Sequence, residues 1–246
     1  MREFSIDINA DLGEGIGNEE QLMPLISSCN IACGGHAGDK NTIREVVKLA
    51  KAYKVKIGAH PSFPDPENFG RLPMEMPYAA LFKSIKDQIN TLVDIVDEEN
   101  TVLHHVKPHG ALYNKAVKDA KIANVIIEVM KSMHLPVYLY VPYKSVIARL
   151  AIEYKIPIIY EAFADRRYND DLTLVSRSKK NAVLHDEDEV FQHVYTMISQ
   201  KKVKSISGKE LEIKAHTFCI HGDNPKAIGL VNRLKYSLES KGVSVL

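Results

Sequence analysis

Short apolar runs alternate with amphipathic stretches along the chain. Runs typical of buried strands cover residues 4–9, 29–33, 55–59, 102–107, 137–141, 157–161 and 215–220. Most are followed by a helical pattern, and the clearest helix is predicted to begin near Tyr78. Its apolar positions recur every three or four residues, at Leu81, Ile85, Ile89, Leu92 and Val96. This order favours an α/β fold with a parallel sheet and helices outside it, either closed as a barrel or open as a doubly wound sheet.

Capping residues predict two further helix starts. Thr42 and Glu45 have capping-box spacing just beyond the loop GGHAGDKN. Asn224 followed by Pro225 has the pattern of an N-cap and a first helical residue. No low-complexity linker divides the chain, so we expect a single domain over residues 1–246. The long, proline-rich stretch PSFPDPENFGRLPMEMP is interpreted as a functional lid.

Composition and charge narrow the class of protein. The 246 residues are 45% hydrophobic and 26% charged, which suits one large α/β domain with a sizeable core. A net charge of +1 and the lack of an aromatic and basic stripe argue against nucleic-acid binding. No apolar run approaches the ~20 residues that span a bilayer, so no membrane role is expected.

Cysteine usage predicts a reduced, cytoplasmic location. The three cysteines, Cys29, Cys33 and Cys219, are an odd number, and the N-terminus lacks the apolar core of a signal peptide. Cys29 and Cys33 flank a strand-like segment and are interpreted as small buried residues rather than as a redox pair.

Polar residues occupy alternate positions of the first predicted strand. Asp7, Asn9 and Asp11 lie in FSIDINADLGEG, whose apolar residues take the other face. Because successive strand side chains point to opposite faces, these three polar groups are predicted to converge on one side. Buried carboxylates are costly unless they meet a cation, a metal or good donors, so the pattern indicates a site.

Ionisable residues also follow most of the predicted strands. In chain order they are Asp11 and Glu14, His36 and Asp39, His60, Lys107 and His109, then Glu161, Asp165 and Arg166, and finally His221 and Asp223. The carboxyl ends of parallel strands carry the active site in α/β folds. Four strand ends that supply histidine together with several carboxylates therefore indicate a catalytic site.

Individual residues of this set also have structural interpretations. Any one histidine after a strand is more often a hydrogen-bonded loop or core residue, and Asp39 and Asp223 have the alternative role of helix caps. The side chain of Lys107 could instead lie along an apolar surface with its charged end in water. Arg166 could simply form an ion pair with Asp165. Alternation places His105, Lys107 and His109 on one face, and likewise Glu161 with Asp165.

The residue types suit hydrolysis or group transfer. Carboxylates and imidazoles bind Zn²⁺ or a similar divalent metal, and Asp11, His36 and His60 are the candidate ligands around one pocket. Without a metal, the same groups would serve as general base and acid, with Lys107 stabilising an oxyanion. The chain has no GxxxxGK[ST] loop, no GxGxxG after a strand and no GxSxG elbow.

Six segments resemble the LamB/YcsF family in register across nearly the whole chain. They are DINADLGEG, SSCNIACGGHAGD, IGAHPSFPDPENFGR, HVKPHGALYN, EAFADRRY and HGDNPKAIGLV. The resemblance implies an irregular (β/α)7-type, TIM-like barrel of the glycoside hydrolase/deacetylase superfamily. It also implies ATP-dependent ring opening of 5-oxo-L-proline to L-glutamate, with ATP as co-substrate and 5-oxoprolinase subunits B and C as partners.

Roles are assigned to the residues that match these segments. The catalytic set is Asp11, His60, Lys107, His109 and Glu161. The substrate-binding set is Asp7, Asn9, Glu14, Asp39, Asp165, Arg166, His221 and Asp223. Asp11 or His60 would activate water, Lys107 would offset oxyanion charge, and His109 or Glu161 would protonate the leaving nitrogen. Two alternatives stay open, a metal-dependent deacetylase or amidase acting alone on a sugar or amide, and a noncatalytic subunit that binds a small acid.

The chain departs from the family pattern at a few positions. Gly35 stands where a phenylalanine is more usual, which predicts an enlarged pocket. His216 replaces an aspartate and Leu172 a glycine. Lys180 and Asn181 replace a proline and a glycine, and asparagine tolerates the left-handed backbone that glycine would supply.

Overall fold

The seven predicted strands pair in parallel and close into a barrel. The computed structural model describes residues 4–133, 136–224 and 226–246. Its strands are β1 (Phe4–Leu12), β2 (Ser28–Ala32), β3 (Lys56–His60), β4 (Leu103–Val106), β5 (Tyr138–Pro142), β6 (Ile158–Phe163), β7 (Lys202–Lys204), β8 (Glu210–Glu212), β9 (Thr217–Ile220) and β10 (Val243–Val245). The ring runs β1-β2-β3-β4-β5-β6-β9, and β9 pairs with β1 to close it. The predicted TIM-like α/β barrel is confirmed, and the open sheet is excluded.

Helices cover the outside of the barrel. They are α1 (Glu19–Leu22), α2 (Lys40–Tyr53), α3 (Tyr78–Glu98), α4 (Gly110–Ala116), α5 (Ala120–Ser132), α6 (Val146–Glu153), α7 (Glu187–Ser199) and α8 (Ala227–Ser240), with a short 3-10 turn at Met23–Leu25. The predicted apolar stripe of α3 is buried, and its start at Tyr78 is confirmed. Among the described residues, no helix is long and apolar enough to cross a membrane. The cytoplasmic location remains a prediction.

Both predicted capping sites need correction. Asp39 is the N-cap of α2, where its Oδ1 accepts a hydrogen bond from the backbone N–H of Thr42 at 2.8 Å. Thr42 therefore lies inside the first turn, and its predicted N-cap role is wrong. Helix α8 begins at Ala227 after Lys226, so Asn224 is not its N-cap. Pro225 lies outside the described residues.

The sequence pattern did not predict three short strands. β7 and β8 form an antiparallel hairpin, and β10 extends the sheet beside the amino-terminal part of β1. Each has only three residues, too few for apolar alternation to stand out.

The barrel interior is polar, whereas the apolar core lies between strands and helices. Asp7, Asn9 and Asp11 all point inward and are buried, as alternation predicts. Gly58 leaves room for this network, because a Cβ there would overlap the imidazole of His105. His105 in turn bonds Asn30 through Nε2 at 2.7 Å. The polar side chains therefore stack along the barrel axis, and those nearest the strand carboxyl ends reach the site.

Candidate active site

A buried lysine lies at the centre of the carboxyl end of the barrel. The ammonium of Lys107 lies 2.8 Å from Asp11 Oδ1, 3.1 Å from Glu161 Oε1 and 3.0 Å from Cys219 Sγ. The side chain is only 2% exposed, which excludes a position along the apolar surface. Burial alone would lower the pKa of Lys107, but the surrounding negative charges, Asp11 foremost, raise it well above its ordinary value. The lysine is therefore a fixed cation at neutral pH.

Asp11 is held as a carboxylate beside this cation. Its Oδ1 also accepts from Asn30 Nδ2 at 2.8 Å, and its Oδ2 lies 3.4 Å from His60 Nε2. Burial would raise the pKa of Asp11, yet the charges of His60 and Lys107 outweigh it and lower the pKa well below the ordinary value. A carboxylate this acidic is a weak proton acceptor, so it is better suited to holding Lys107 and His60 in place.

Glu161 is fully engaged from the other side. Its Oε2 accepts from the Tyr113 hydroxyl at 2.7 Å, and its Oε1 accepts from Asn9 Nδ2 at 3.1 Å and lies near Lys107. Neither oxygen is free to pass a proton to a substrate. Glu161 and Asn9 therefore hold the lysine in place, which argues against the predicted role of Glu161 as a proton donor.

Three histidines and Glu14 converge next to Asp11. One ligand atom from each of Glu14, His36, His60 and His109 falls within 4.8 Å of the others. His36 Nε2 lies 2.9 Å from Glu14 Oε1, and the rings of His36 and His109 stack with centroids 3.7 Å apart. His109, like Lys107, follows β4, and alternation brings both to the same end of the barrel.

Backbone carbonyls fix the orientation of two of these rings. His60 Nδ1 donates to the carbonyl of Lys107 at 2.7 Å, and His109 Nε2 donates to the carbonyl of Phe69 at 2.9 Å. The remaining nitrogens, His60 Nε2 and His109 Nδ1, face each other at 2.9 Å. When both rings are neutral these atoms carry lone pairs, so the contact needs a proton or a cation between them.

The four groups fit a divalent transition metal. Imidazole nitrogens and carboxylates are common ligands of Zn²⁺. A histidine that binds a metal through one ring nitrogen usually donates the N–H of the other to a carbonyl or carboxylate, as His60 and His109 do here. Burial lowers the pKa of His36, and burial together with neighbouring imidazoles lowers that of His109 well below its ordinary value. Both rings are thus neutral at pH 7, the form that binds a metal. The nitrogen His36 Nδ1 is buried with no partner among the described residues.

The candidate ligands differ in part from the predicted set. The cluster contains His36 and His60 of the predicted ligands together with Glu14 and His109. Asp11, the third predicted ligand, is not part of it and lies beside it, with its Oδ2 3.4 Å from His60 Nε2. Glu14 follows the bend at Gly13, which has a φ of +73°, and this turn aims its side chain at the histidines. The direction of a side chain after such a turn is not readable from alternation.

A cavity of about 540 Å³ opens at this end of the barrel. The predicted site residues that line it are Asp11, Glu14, His60, Lys107, His109, Glu161, Arg166 and His221. Lining residues that the sequence did not single out include Arg71, Tyr113, Tyr143, Phe163 and Arg177. Tyr113 lies in the segment HVKPHGALYN and Arg71 in IGAHPSFPDPENFGR, so membership of these family-like segments could have pointed to both residues. Arg71 belongs to the proline-rich stretch, whose role as a lid stays a prediction.

Several predicted binding residues lie away from the cavity lining. Asp39 is exposed and caps α2. Asp223 pairs with Arg71 and Arg177 at the rim. Asp165 lies behind His221, with Oδ1 2.9 Å from His221 Nδ1. The capping alternative thus holds for Asp39, while Asp223 and Asp165 position neighbouring cavity residues.

Asp7 lies at the opposite end of the barrel. It is four residues before Asp11 on the same strand, roughly 13 Å at the rise of a β-strand. Its Oδ1 accepts from Ser28 Oγ at 2.7 Å and from Thr217 Oγ1 at 2.6 Å. Its carboxylate is therefore satisfied by the barrel itself, and the structure does not bring it to the cavity.

The departures from the family pattern have mixed outcomes. Leu172 and Asn181 adopt left-handed backbone at φ +63° and +61°, the conformation expected of the glycines they replace. Gly35 does not enlarge the pocket, because a Cβ there would overlap the Gln88 amide and the Ser62 hydroxyl. The predicted enlargement is wrong, since Gln88 already fills the space. His216 lies by the amino end of β9, where its ring stacks on another aromatic residue outside the site.

Comparison with known proteins identifies the family of this chain. The LamB/YcsF family profile matches residues 6–246. The chain belongs to the LamB/YcsF family. It is 42% identical over 240 residues to proteins from two strains of Haemophilus influenzae, PittEE and 86-028NP, and 98% of each chain is covered. Both relatives are named as the A subunit of 5-oxoprolinase.

Solved structures place the family fold in context. A lactam utilization protein from Thermus thermophilus superposes with a TM-score of 0.92 at 36% identity, covering 98% of this chain and 99% of that one. A putative cellobiose-phosphate cleavage protein from Enterococcus faecalis V583 has a TM-score of 0.62 at 10% identity, covering 99% and 97%. The second likeness shows a shared fold and no more.

Proposed function

We propose that this chain is the ring-opening subunit of an ATP-dependent 5-oxoprolinase, which converts 5-oxo-L-proline to L-glutamate together with subunits B and C. The observation that carries the proposal is the buried Lys107 ammonium, held between Asp11 and Glu161 beside the facing nitrogens of His60 and His109. The names of the Haemophilus influenzae and Thermus thermophilus relatives support a lactam as the substrate.

The first step is addition of water to the lactam carbonyl. A lactam is a stabilised amide, so phosphorylation of its oxygen by the partner subunits would make the carbon reactive. The water oxygen bonds to that carbon while its proton moves to the facing nitrogen of His60 or His109. Lys107 offsets the negative charge that develops at the adduct, and it needs no reorganisation because it is already fixed.

Ring opening completes the reaction. The ring nitrogen takes the proton from the imidazolium, and the carbon–nitrogen bond breaks to give the amine of glutamate. The hydroxyl of the adduct passes its proton to the freed imidazole, and its oxygen becomes the carbonyl oxygen of an acyl phosphate. The acyl phosphate left on the carbon then adds a second water and releases phosphate. The first proton removed from water is thus returned to the ring nitrogen, and ATP supplies the phosphoryl group.

We further propose that Glu14, His36, His60 and His109 bind a divalent cation such as Zn²⁺. The facing nitrogens of His60 and His109 would then be ligands, so their role as proton acceptors belongs to the metal-free form. When bound, the cation would supply Lewis acidity and a more acidic water at this end of the barrel. This cluster is also the observation that favours a second candidate function, a metal-dependent deacetylase or amidase that acts alone on a sugar or an amide. Activity with bound metal and without ATP would establish that second function.

The test of the main proposal compares the chain alone with the chain plus subunits B and C. Glutamate and phosphate release are measured with ATP and 5-oxo-L-proline. We expect the chain alone to release neither product at a useful rate, because its sequence has no phosphate-cradling loop. Adding the partners should restore both in a coupled ratio.

Two results would contradict this division of labour. ATP-dependent glutamate release by the chain alone, abolished by Lys107→Ala, would place the whole reaction in this barrel. Unchanged turnover of the complex after Asp11→Ala and Lys107→Ala, with both variants folded, would instead identify a noncatalytic subunit that binds a small acid.

A further inference from the structure

One arginine of the cavity is a buried cation that forms no close ion pair with any carboxylate of the described residues. Arg166 follows β6 and is 6% exposed. Its Nη2 donates to the carbonyl of Val175 at 2.6 Å, and its Nε is buried with no partner in the described part of the chain. The neighbouring Asp165 pairs with His221 instead. Arg166 and Asp165 therefore form no close ion pair among the described residues, although the charge of Asp165 still acts on the guanidinium.

This arrangement is energetically unfavourable in the protein alone. A buried guanidinium that lacks an opposite charge forfeits its hydration without recovering it. Burial and the nearby charge of Arg177 lower the pKa of Arg166 to about 10. The group still carries its proton at neutral pH, so the cavity contains a buried cation that only the more distant charge of Asp165 offsets directly.

The surrounding side chains add to that positive charge. Arg71 and Arg177 line the same cavity and share one carboxylate, Asp223 Oδ2, at 2.5 Å and 3.1 Å. Lys107, by contrast, is flanked by two carboxylates. An anion entering the cavity is thus drawn to the Arg166 side rather than to the lysine.

We propose that Arg166, with Arg177 beside it, is the subsite that binds the carboxylate of the lactam substrate. The inference rests on the proposed function, since 5-oxo-L-proline carries one carboxylate, on the ring carbon that lies across the nitrogen from the reacting carbonyl. A guanidinium presents paired N–H donors that match a planar carboxylate. Binding there would point the carbonyl toward Lys107. A phosphoryl group offers the same oxyanion chemistry, and the experiment separates the two sources.

The test compares two lactams that differ only in the carboxylate. Binding of 5-oxo-L-proline and of 2-pyrrolidinone to the purified chain is measured by calorimetry, for the natural protein, Arg166→Gln and Arg166→Lys. Arg233→Gln is the matched control, because this exposed arginine pairs with Asp188 on the outer helices. Thermal unfolding checks that each variant is folded.

We expect Arg166→Gln to weaken 5-oxo-L-proline binding by on the order of 10- to 100-fold, the scale for hydrogen bonds to a charged group. Binding of 2-pyrrolidinone should not change. Arg166→Lys keeps the positive charge but loses the paired N–H donors, so its affinity for 5-oxo-L-proline should lie between those of the natural protein and Arg166→Gln. Because Arg166 also holds the carbonyl of Val175, a purely structural role would weaken both lactams alike, and that result would overturn the inference.

The remaining outcomes separate this subsite from the proposed function. Equal 5-oxo-L-proline binding by the natural protein and Arg166→Gln overturns the subsite and leaves the function standing. If the natural protein binds neither lactam, either alone or together with subunits B and C, the function is contradicted, and inorganic phosphate decides the subsite. Phosphate binding that Arg166→Gln abolishes would support an oxyanion subsite with a phosphoryl ligand. A lack of phosphate binding would overturn it.

Discussion

The two ends of the barrel carry the same residue types and use them differently. At the amino end, Asp7 faces Lys56 at 3.3 Å, and the lysine is 38% exposed. At the carboxyl end, Asp11 faces Lys107 at 2.8 Å, and that lysine is 2% exposed. Both aspartates lie on the inward face of β1, so alternation alone treats them as equivalent.

The difference lies in what else meets each pair. Hydroxyls of Ser28 and Thr217 complete the shell of Asp7, and the solvated Lys56 gains little from the contact. Lys107 has a second carboxylate and borders the cavity. An ion pair on the inward face of the barrel thus indicates a functional site when it is buried, when a second carboxylate joins it and when it borders a cavity that a ligand can enter. Substitutions at the two ends test this contrast, beginning with the largest effect.

Substitutions of the two lysines should differ most in their effects on turnover and stability. We expect Lys107→Met to lower turnover of the complex by on the order of 10³, the upper range for losing one oxyanion donor. It should also cost about 3–5 kcal/mol in the free energy of unfolding, because two buried carboxylates lose their cation. Lys56→Met should cost about 0–1 kcal/mol and leave turnover near the natural value. Glutamate release and urea unfolding measure both effects, and equal losses from the two variants would remove the contrast.

The aspartates give a nearly isosteric comparison. Asp11→Asn should lower glutamate formation by on the order of 10² with the fold intact, because the charge that holds Lys107 and orients His60 is lost. Asp7→Asn should cost about 1 kcal/mol of stability and little activity. Steady-state kinetics of the complex at saturating ATP provides the measurement. Near-natural turnover of Asp11→Asn would show that Asp11 is only structural.

Histidines at the two ends should differ in metal binding. We expect the purified chain to bind about one equivalent of Zn²⁺, and His109→Ala to weaken it by at least about 10²-fold, beyond the loss for an outer-shell partner. His104→Ala is the matched control, because His104 contacts His105 and Tyr138 away from the cluster. Calorimetry and metal analysis report binding without relying on activity. Equal zinc affinity in both variants would rule out the proposed ligands.

The smallest effect concerns a property that both ends share. Burial, followed by neighbouring positive groups, lowers the pKa of His105 and of His109 well below 6.5. Below that pH the unfolded chain binds more protons than the folded one, so the free energy of unfolding should fall as the pH falls. Each histidine contributes up to about 1.4 kcal/mol per pH unit.

Substitution of either histidine should therefore reduce this dependence. The free energy of unfolding in urea, measured at several pH values from neutral to mildly acidic, should fall less steeply for His105→Gln and for His109→Gln than for the natural protein. An unchanged slope in both variants would show that these rings are not kept neutral by the fold.

Much of the site was predictable because strand alternation and chain order are local properties. Asp11, Lys107 and Glu161 each follow or end an apolar run, and parallel strands bring such ends together. Tyr113 was not predictable in the same way. It lies inside α4, and only the tertiary fold brings its hydroxyl to Glu161, 48 residues away in sequence.

Local sequence patterns did not predict the helix cap and the packing around Gly35 correctly. Thr42 and Glu45 have the right spacing for a capping box, yet Asp39 takes the N-cap because its side chain reaches the Thr42 N–H first. Gly35 suggested a larger pocket only as long as the position of Gln88, on another element, was unknown.

The sequence by itself determined the order of the elements, the parallel α/β fold and the inward face of β1, because hydrophobic periodicity depends on neighbouring residues alone. The tertiary structure decided which inward residues meet a cavity and which are sealed by hydroxyls. It also decided which imidazole nitrogens are left facing each other and which buried arginine forms no close ion pair within the described ranges. Those properties depend on distances between residues that are far apart along the chain, and local patterns carry no information about such distances.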